Sequence, residues 1–202
     1  MTDYMPPAPS GFIYHKPLFS QLNGPRWKLL LWANMIALLP FGVGLLLLWM
    51  PYQLYLALGS PLALYPDHQL TRPVSLAVGI LIFIASMFLH EWLHGIALHL
   101  LGHKPVYYFK FSMFFAGLQK GDHLSRHQYL VMTLTPLVTM SVVGFGILLL
   151  LPPAYGRLLL IALLLNTAAS LGDLFVAVAV LRAPKTAVFT DDNGIYIFLP
   201  IE

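Results

Sequence analysis

The stretch that decides the fold covers residues 74–101, V-S-L-A-V-G-I-L-I-F-I-A-S-M-F-L-H-E-W-L-H-G-I-A-L-H-L-L. Its single carboxylate is Glu91, and it contains no lysine or arginine. A helix of about 20 predominantly apolar residues is long enough to cross the hydrocarbon core of a bilayer. The stretch therefore predicts a transmembrane helix that carries several polar side chains in its second half.

The composition of the whole chain supports a membrane protein. Of its 202 residues, 58% are hydrophobic and only 9% are Asp, Glu, Lys or Arg, against roughly 25% charged residues in ordinary soluble domains. So few charges cannot cover the surface of a soluble globule, and this excludes that class. The chain has no cysteine, which excludes disulfides, thiolate metal sites and cysteine nucleophiles. Any chemistry must come from histidine, carboxylate or hydroxyl groups.

Three further apolar stretches are long enough to span a bilayer, at residues 29–50, 129–151 and 158–181. We therefore expect an all-α membrane protein with four transmembrane helices. The expected domains are an N-terminal segment of residues 1–28, a transmembrane domain of residues 29–182 and a tail of residues 183–202. The proline-rich N-terminal stretch through Asn23 predicts irregular structure.

Short strands are expected outside the helices. Residues 106–115, V-Y-Y-F-K-F-S-M-F-F, are aromatic and partly alternating, which predicts one β-strand after the second span. In the tail, residues 187–190 and 195–199 flank the sequence D-D-N-G. Asn-Gly between apolar runs is a strong signal for a β-hairpin, so we expect a hairpin-like C-terminal tail.

The basic residues predict the orientation in the membrane. Nine of the eleven lysines and arginines fall before the first span, between the second and third spans, or after the fourth, and two fall in the other loops. By the positive-inside rule, both termini and the segment of residues 103–128 are cytoplasmic. Because the basic residues stand singly at the ends of apolar runs, we expect a lipid bilayer around this chain and no nucleic-acid partner.

The chemistry is expected in the second span. His90-Glu91-Trp92-Leu93-His94 matches the pattern H-E-x-x-H, in which spacing i, i+4 places both imidazoles on one helix face. Such a pair can hold zinc, and the carboxylate between them is placed to act as general base on a water. The alternative is a histidine pair that hydrogen bonds within a bundle, with Glu91 as an ordinary interhelical contact. Against it, a carboxylate near the bilayer centre costs about 3 kcal/mol on insertion scales and is tolerated mainly where it has a partner or a function.

Asp173 is the evident third zinc ligand, since a catalytic zinc usually has three protein ligands and one open position. Outside the second span it is the only Asp, Glu, Lys, Arg or His in the four predicted spans. The two histidines lie on average nine residues before Leu101, and Asp173 lies nine residues before Arg182. At helical rise, both positions are roughly 14 Å from the same membrane face. Asn166 and Ser170 precede Asp173 on the same helical stripe and are expected to support the ligands, with routine polar packing as the alternative.

The predicted strand offers a place for an extended peptide, since a helical substrate must unwind before it is cut. Edge pairing would bring a peptide alongside the strand, and the candidate contact residues are Tyr107, Phe109 and Phe111. The alternative is that this aromatic segment anchors the protein at the membrane interface.

Several motifs together resemble a known group. H-E-W-L-H-G in a transmembrane helix, the aromatic strand, L-S-R-H-Q-Y-L leading to T-P-L, and N-T-A-A-S-L-G-D before the tail resemble a bacterial family of proposed zincin peptidases, over about residues 74–199. That family is similar in turn to the site-2 proteases, which are membrane-embedded zinc enzymes that cut transmembrane or membrane-proximal segments. Site-2 proteases carry their third ligand in an Asp-Gly pair, whereas this chain has Gly172-Asp173.

The resemblance implies a multi-pass protein of the bacterial cytoplasmic membrane that binds Zn²⁺ through His90, His94 and Asp173, with Glu91 as the catalytic base. We therefore expect an intramembrane metalloprotease whose partner is a membrane-protein substrate. Two other classes stay open: a membrane protein that binds or moves a metal, and a non-catalytic subunit or inactive protease relative in a larger membrane assembly.

Overall fold

The structure is a computed structural model that describes residues 6–18, 42, 49, 53, 72–110, 113–151, 153–191 and 194–201. The predicted first span, residues 29–50, lies outside the described residues except for the two single positions 42 and 49.

Long apolar helices dominate the described part of the chain. They are α1 (Arg72–Leu100), α2 (Arg126–Leu150), α3 (Pro153–Ala169) and α4 (Leu171–Arg182). Three described segments are long and apolar enough to cross a membrane, namely Ala77–Leu100, Arg126–Leu150 and Leu158–Arg182. The third runs through α3 and α4, which are separated by a turn at Ser170. These helices are compatible with a membrane protein.

Six short strands accompany the helices in the described part of the chain. They are β1 (Phe12–Pro17), β2 (Pro105–Lys110), β3 (Met113–Leu118), β4 (Leu124–Ser125), β5 (Val188–Asp191) and β6 (Ile195–Pro200). Four of them form an antiparallel sheet in the order β1-β6-β5-β4, and β2 and β3 form a separate antiparallel hairpin. The predicted C-terminal hairpin is confirmed by the pairing of β5 with β6.

The predicted all-α fold class with four transmembrane helices is wrong, because the described residues form a mixed α/β structure with three membrane-length segments and two sheets. Strands of two to six residues give little periodic signal beside apolar runs of 20 residues or more. The region predicted as irregular contains β1, in which Phe12, Tyr14 and Lys16 are half-buried while the residues between them are exposed. The single strand predicted at residues 106–115 is a hairpin of two strands.

The chain divides into two compact units. One comprises residues 1–30, 91–135 and 172–202, and the other comprises residues 31–90 and 136–171. This division into units does not test the predicted domain boundaries after residues 28 and 182. Those boundaries stay predictions.

The first unit contains all six strands. Its core joins the end of α1 and parts of α2 and α4 to the strands. Members of this cluster include Leu98, Leu124, Tyr129, Phe189 and Ile197.

The second unit has a smaller apolar cluster formed by Leu148, Leu160 and Leu163. A Cβ added at Gly144 would lie 2.4 Å from Leu163 Cδ2, so glycine allows α2 and α3 to approach closely there.

The sheet core of the first unit should be sensitive to truncation at Phe189. Its side chain is 0% exposed, and its ring centroid lies 5.3 Å from that of Tyr129. We expect Phe189→Ala to destabilise the protein by about 3–5 kcal/mol, because a buried aromatic leaves a cavity. Thermal unfolding in detergent measures the effect.

The matched control is Phe109→Ala, since Phe109 is 70% exposed and its main ring contact is with Phe114. We expect the control to cost at most about 1.5 kcal/mol. Equal losses in the two variants would contradict the assignment of Phe189 to the core.

Candidate metal centre

Helix α1 places the three residues of the predicted motif together. His90, Glu91 and His94 are 3%, 8% and 7% exposed. One possible ligand atom from each lies within 4.8 Å of the other two. Positions i, i+1 and i+4 of one α-helix produce this proximity because two successive turns bring i and i+4 onto one face. The geometry is that of an H-E-x-x-H site capable of holding a metal ion.

The ring of His90 is anchored by an amide on α3. His90 Nδ1 lies 3.0 Å from Asn166 Oδ1, and a carbonyl oxygen accepts but does not donate a hydrogen bond. Nδ1 therefore carries the proton and donates to Asn166. The lone pair of the neutral ring is then on Nε2, which is the nitrogen left for a metal.

The ring of His94 is anchored in the same way by a backbone carbonyl. His94 Nδ1 donates to the oxygen of Met132 at 2.9 Å. Met132 lies four residues before Pro136, which is inside α2. Proline has no N–H, so it cannot make the helical hydrogen bond to the carbonyl of residue i−4. Pro136 therefore leaves the Met132 carbonyl available to the histidine.

Asp173 approaches the second histidine. It lies in the first turn of α4, directly after the turn at Ser170, and its Oδ1 is 3.4 Å from His94 Nε2. Two ligand atoms on one tetrahedral zinc at about 2.1 Å are about 3.4 Å apart. The spacing of the two atoms is thus suited to a shared metal ion. The chemistry of the donor set, two neutral imidazoles and carboxylates without thiolate, fits zinc.

Of the two residues expected to support the ligands, Asn166 and Ser170, only Asn166 accepts a hydrogen bond from a motif histidine among the described residues. Asn166 contacts His90, as described above. Ser170 is fully buried, but within the described part of the chain its hydroxyl has no hydrogen-bond partner. The structure therefore brings Asn166, and not the Ser170 hydroxyl, to a motif histidine.

Glu91 is held by the backbone of β3. Its Oε2 accepts a hydrogen bond of 2.9 Å from the N–H of Ala116. Ala116 is paired in register with Tyr107 of β2, and its amide points to Glu91 and away from that partner. This pair is therefore one of the non-hydrogen-bonded pairs of the antiparallel hairpin.

Two of the three aromatic residues proposed to contact a peptide, Tyr107 and Phe109, lie on β2 of the same hairpin. A Cβ added at Gly95 would overlap the hydroxyl of Tyr107, so the absence of a side chain at Gly95 makes room for this tyrosine against α1. Gly95 follows Glu91 by four residues and is on the same helix face. Phe109 is largely exposed, and Phe111 lies outside the described residues.

The neighbouring tyrosine on the other face of β2 is electrostatically affected by the site. Burial raises the pKa of Tyr108, and the negative charges of Asp191 and Glu91 raise it further. Tyr108 therefore keeps its phenol proton throughout the neutral range.

Sequence reasoning missed two groups that hold the site, the Met132 carbonyl and the Ala116 amide. Both are backbone groups, which residue type does not reveal. Pro136 was a usable signal for the first, since a proline inside a helix leaves a carbonyl without its amide partner four residues earlier. For the Ala116 amide the sequence has no corresponding signal.

Comparison with known proteins agrees with this geometry. No curated protein and no solved structure gives a significant match to the chain. The sequence model of one family, described as Putative zincin peptidase, matches residues 83–188, just over half of the chain. The matched range contains the H-E-x-x-H motif, Ala116, Met132, Asn166 and Asp173, and the description indicates a metallopeptidase. The chain belongs to this zincin peptidase family.

Proposed function

We propose that the protein is a zinc-dependent endopeptidase that cuts peptide bonds in or next to transmembrane segments of other membrane proteins, in the manner of the site-2 proteases. The observation that carries the proposal is the common anchoring of the two buried histidines. Both engage Nδ1 with a neutral acceptor and keep Nε2 for a ligand. Both lie in Ala77–Leu100, a segment apolar enough to cross a membrane.

In this proposal His90, His94 and Asp173 hold the zinc. When bound, zinc supplies a Lewis acid that activates water and polarises the scissile carbonyl. Glu91 accepts the proton of the attacking water and then donates it to the leaving nitrogen. The Ala116 amide fixes Oε2 of Glu91, so the other carboxylate oxygen is the proton acceptor.

The β2–β3 hairpin is the proposed site for the unwound substrate. Because Tyr107 and Ala116 form a non-hydrogen-bonded pair, the backbone N–H and C=O of Tyr107 point away from β3, and those of Phe109 do the same two residues later. Among the described strands this edge of β2 has no neighbour. An extended peptide can add to that edge. Phe111 is retained as a third proposed contact.

We further propose that the protein is a multi-pass protein of the bacterial cytoplasmic membrane whose C-terminus lies in the cytoplasm. The nine-to-two distribution of basic residues supports this orientation.

The main alternative is a non-catalytic membrane subunit that retains the metal site. The hydrogen bond from Ala116 to Glu91 favours it, because this contact gives Glu91 a structural partner. The two functions differ in what they require of the Glu91 charge, and substitution by glutamine separates them.

The third-ligand assignment predicts zinc content. We expect wild type to bind one zinc per chain and Asp173→Ala to lose most of it, because two histidines leave the coordination incomplete. Metal analysis of purified protein measures this. Asp122→Ala removes an aspartate that contacts His103 instead and should retain the zinc. Full retention in Asp173→Ala would exclude Asp173 as a ligand.

The anchoring of His90 predicts a change in zinc affinity. We expect Asn166→Ala to weaken zinc binding by about 10- to 100-fold, the usual effect of removing a hydrogen-bond partner of a ligand histidine. Competition with a chelator measures the affinity. The control is Thr167→Val on the same helix, whose hydroxyl bonds to the Leu163 carbonyl. If Thr167→Val weakened zinc binding as much as Asn166→Ala, the anchoring role would be wrong.

The catalytic assignment predicts that Glu91→Gln retains zinc and loses activity. Glutamine keeps an oxygen that can accept from Ala116, but an amide does not take up a proton at neutral pH. Cleavage of single-span helical substrates should fall by about 100-fold or more. Thermal stability measured after removal of zinc should not decrease, since the variant removes a charge that costs about 3 kcal/mol in a membrane.

The alternative function predicts a different set of results. If Glu91 is purely structural, wild type cleaves none of the single-span helical substrates. The Glu91→Gln variant is then less stable than wild type and depleted of zinc. That combination of results would contradict the proposed peptidase activity and support the non-catalytic subunit.

A further inference from the structure

A second site lies within the first unit, between β1, the end of α4 and β6. It is a cavity of about 260 Å³. Its polar side chains include Lys16 of β1 and Arg182, the last residue of α4. No carboxylate is among the described residues that line it. The cavity is therefore a positively charged pocket.

The two cations of the pocket, Lys16 and Arg182, have no salt-bridge partner among the residues that the structure describes. At the C-terminal end of α4, the Leu181 carbonyl accepts a hydrogen bond from the side chain of Arg126. Arg182 is thus not required to cap its own helix. Two uncompensated cations on one pocket attract an anion.

An apolar stripe leads away from the cations along α4. Phe175, Val178, Ala179 and Arg182 all line the cavity. Their spacing of i, i+3, i+4 and i+7 places them on one face of the helix. The stripe belongs to Leu158–Arg182, a segment apolar enough to cross a membrane, and Arg182 is its last residue. The charged end of the pocket therefore lies at the C-terminal end of this apolar segment, and the apolar side chains of the pocket extend along the helix from there.

We propose that this pocket binds an anionic phospholipid, with the phosphodiester headgroup at Lys16 and Arg182 and an acyl chain along Phe175, Val178 and Ala179. The volume is slightly below the range of about 300–1,000 Å³ typical of pockets for whole small molecules, which suits a headgroup whose chains continue into the bilayer. Basic pockets on membrane-spanning helices recognise such headgroups. The site is separate from the metal-binding motif and does not depend on the proposed peptidase activity.

The test compares lipid binding by the full-length protein in detergent. Native mass spectrometry measures retention of phosphatidylglycerol and of phosphatidylcholine with the same acyl chains. We expect wild type to retain the anionic lipid preferentially. Lys16→Gln/Arg182→Gln should weaken its binding by about 10-fold or more. The control Lys104→Gln/Lys185→Gln removes the same net charge from exposed positions outside the lining and should change binding by less than about 2-fold.

A second variant separates the pocket from general electrostatic attraction. Val178→Trp keeps both cations but fills the apolar part, so it should also lose the anionic lipid. Any one of three results would overturn the proposal. Wild type could bind the two lipids equally, the pocket and control double variants could lose the anionic lipid equally, or Val178→Trp could retain it fully.

Inorganic phosphate distinguishes a lipid site from a site for a free anion. Because phosphate cannot use the apolar stripe, millimolar phosphate should leave the bound phosphatidylglycerol in place. If phosphate displaces the lipid from wild type, and if this effect of phosphate is lost in the Lys16→Gln/Arg182→Gln variant, the pocket binds a soluble phosphate. That result would overturn the lipid proposal.

Discussion

The orientation of the two histidine rings is the constraint on which the candidate centre depends. A neutral imidazole has one donor nitrogen and one acceptor nitrogen, and the partner of the donor decides which is which. Here Asn166 and the Met132 carbonyl both accept a hydrogen bond from Nδ1, so the neutral form of each ring has its lone pair on Nε2. Without these two hydrogen bonds, the buried rings could rotate or change tautomer. The H-E-x-x-H spacing would then bring the residues together without making a consistent ligand pair.

The part of the site within α1 was predictable from the sequence because it depends on helix geometry alone. H-E-x-x-H fixes the relative positions of His90, Glu91 and His94 once the segment is helical. Asp173 and Asn166 were also identified from the sequence, since polar residues in apolar spans are few and their depth can be counted. The structure places Asp173 beside His94 and Asn166 beside His90, and the ligand role of Asp173 stays a prediction.

The strands were the main failure of the sequence reasoning. Each β-strand has only two to six residues, and the pairing of β1 with β6 joins parts of the chain about 180 residues apart. Local periodicity contains no information on such pairing. The C-terminal hairpin was the exception, because Asn-Gly in its loop is a local turn signal. For the same reason the Ala116 amide could not be foreseen, since its position depends on the hairpin and not on the alanine side chain.

The choice of anchoring groups follows from charge balance in an apolar environment. With the proposed zinc in place, the two charges of the dication are balanced by Asp173 and Glu91. The histidine partners are an amide and a peptide carbonyl, and both are neutral. A carboxylate in either position, common in soluble zinc proteins, would add a negative charge with no cation to balance it. Such a charge costs about 3 kcal/mol near a bilayer centre. Pro136 provides a neutral acceptor at no such cost, because it releases a carbonyl that the helix would otherwise use.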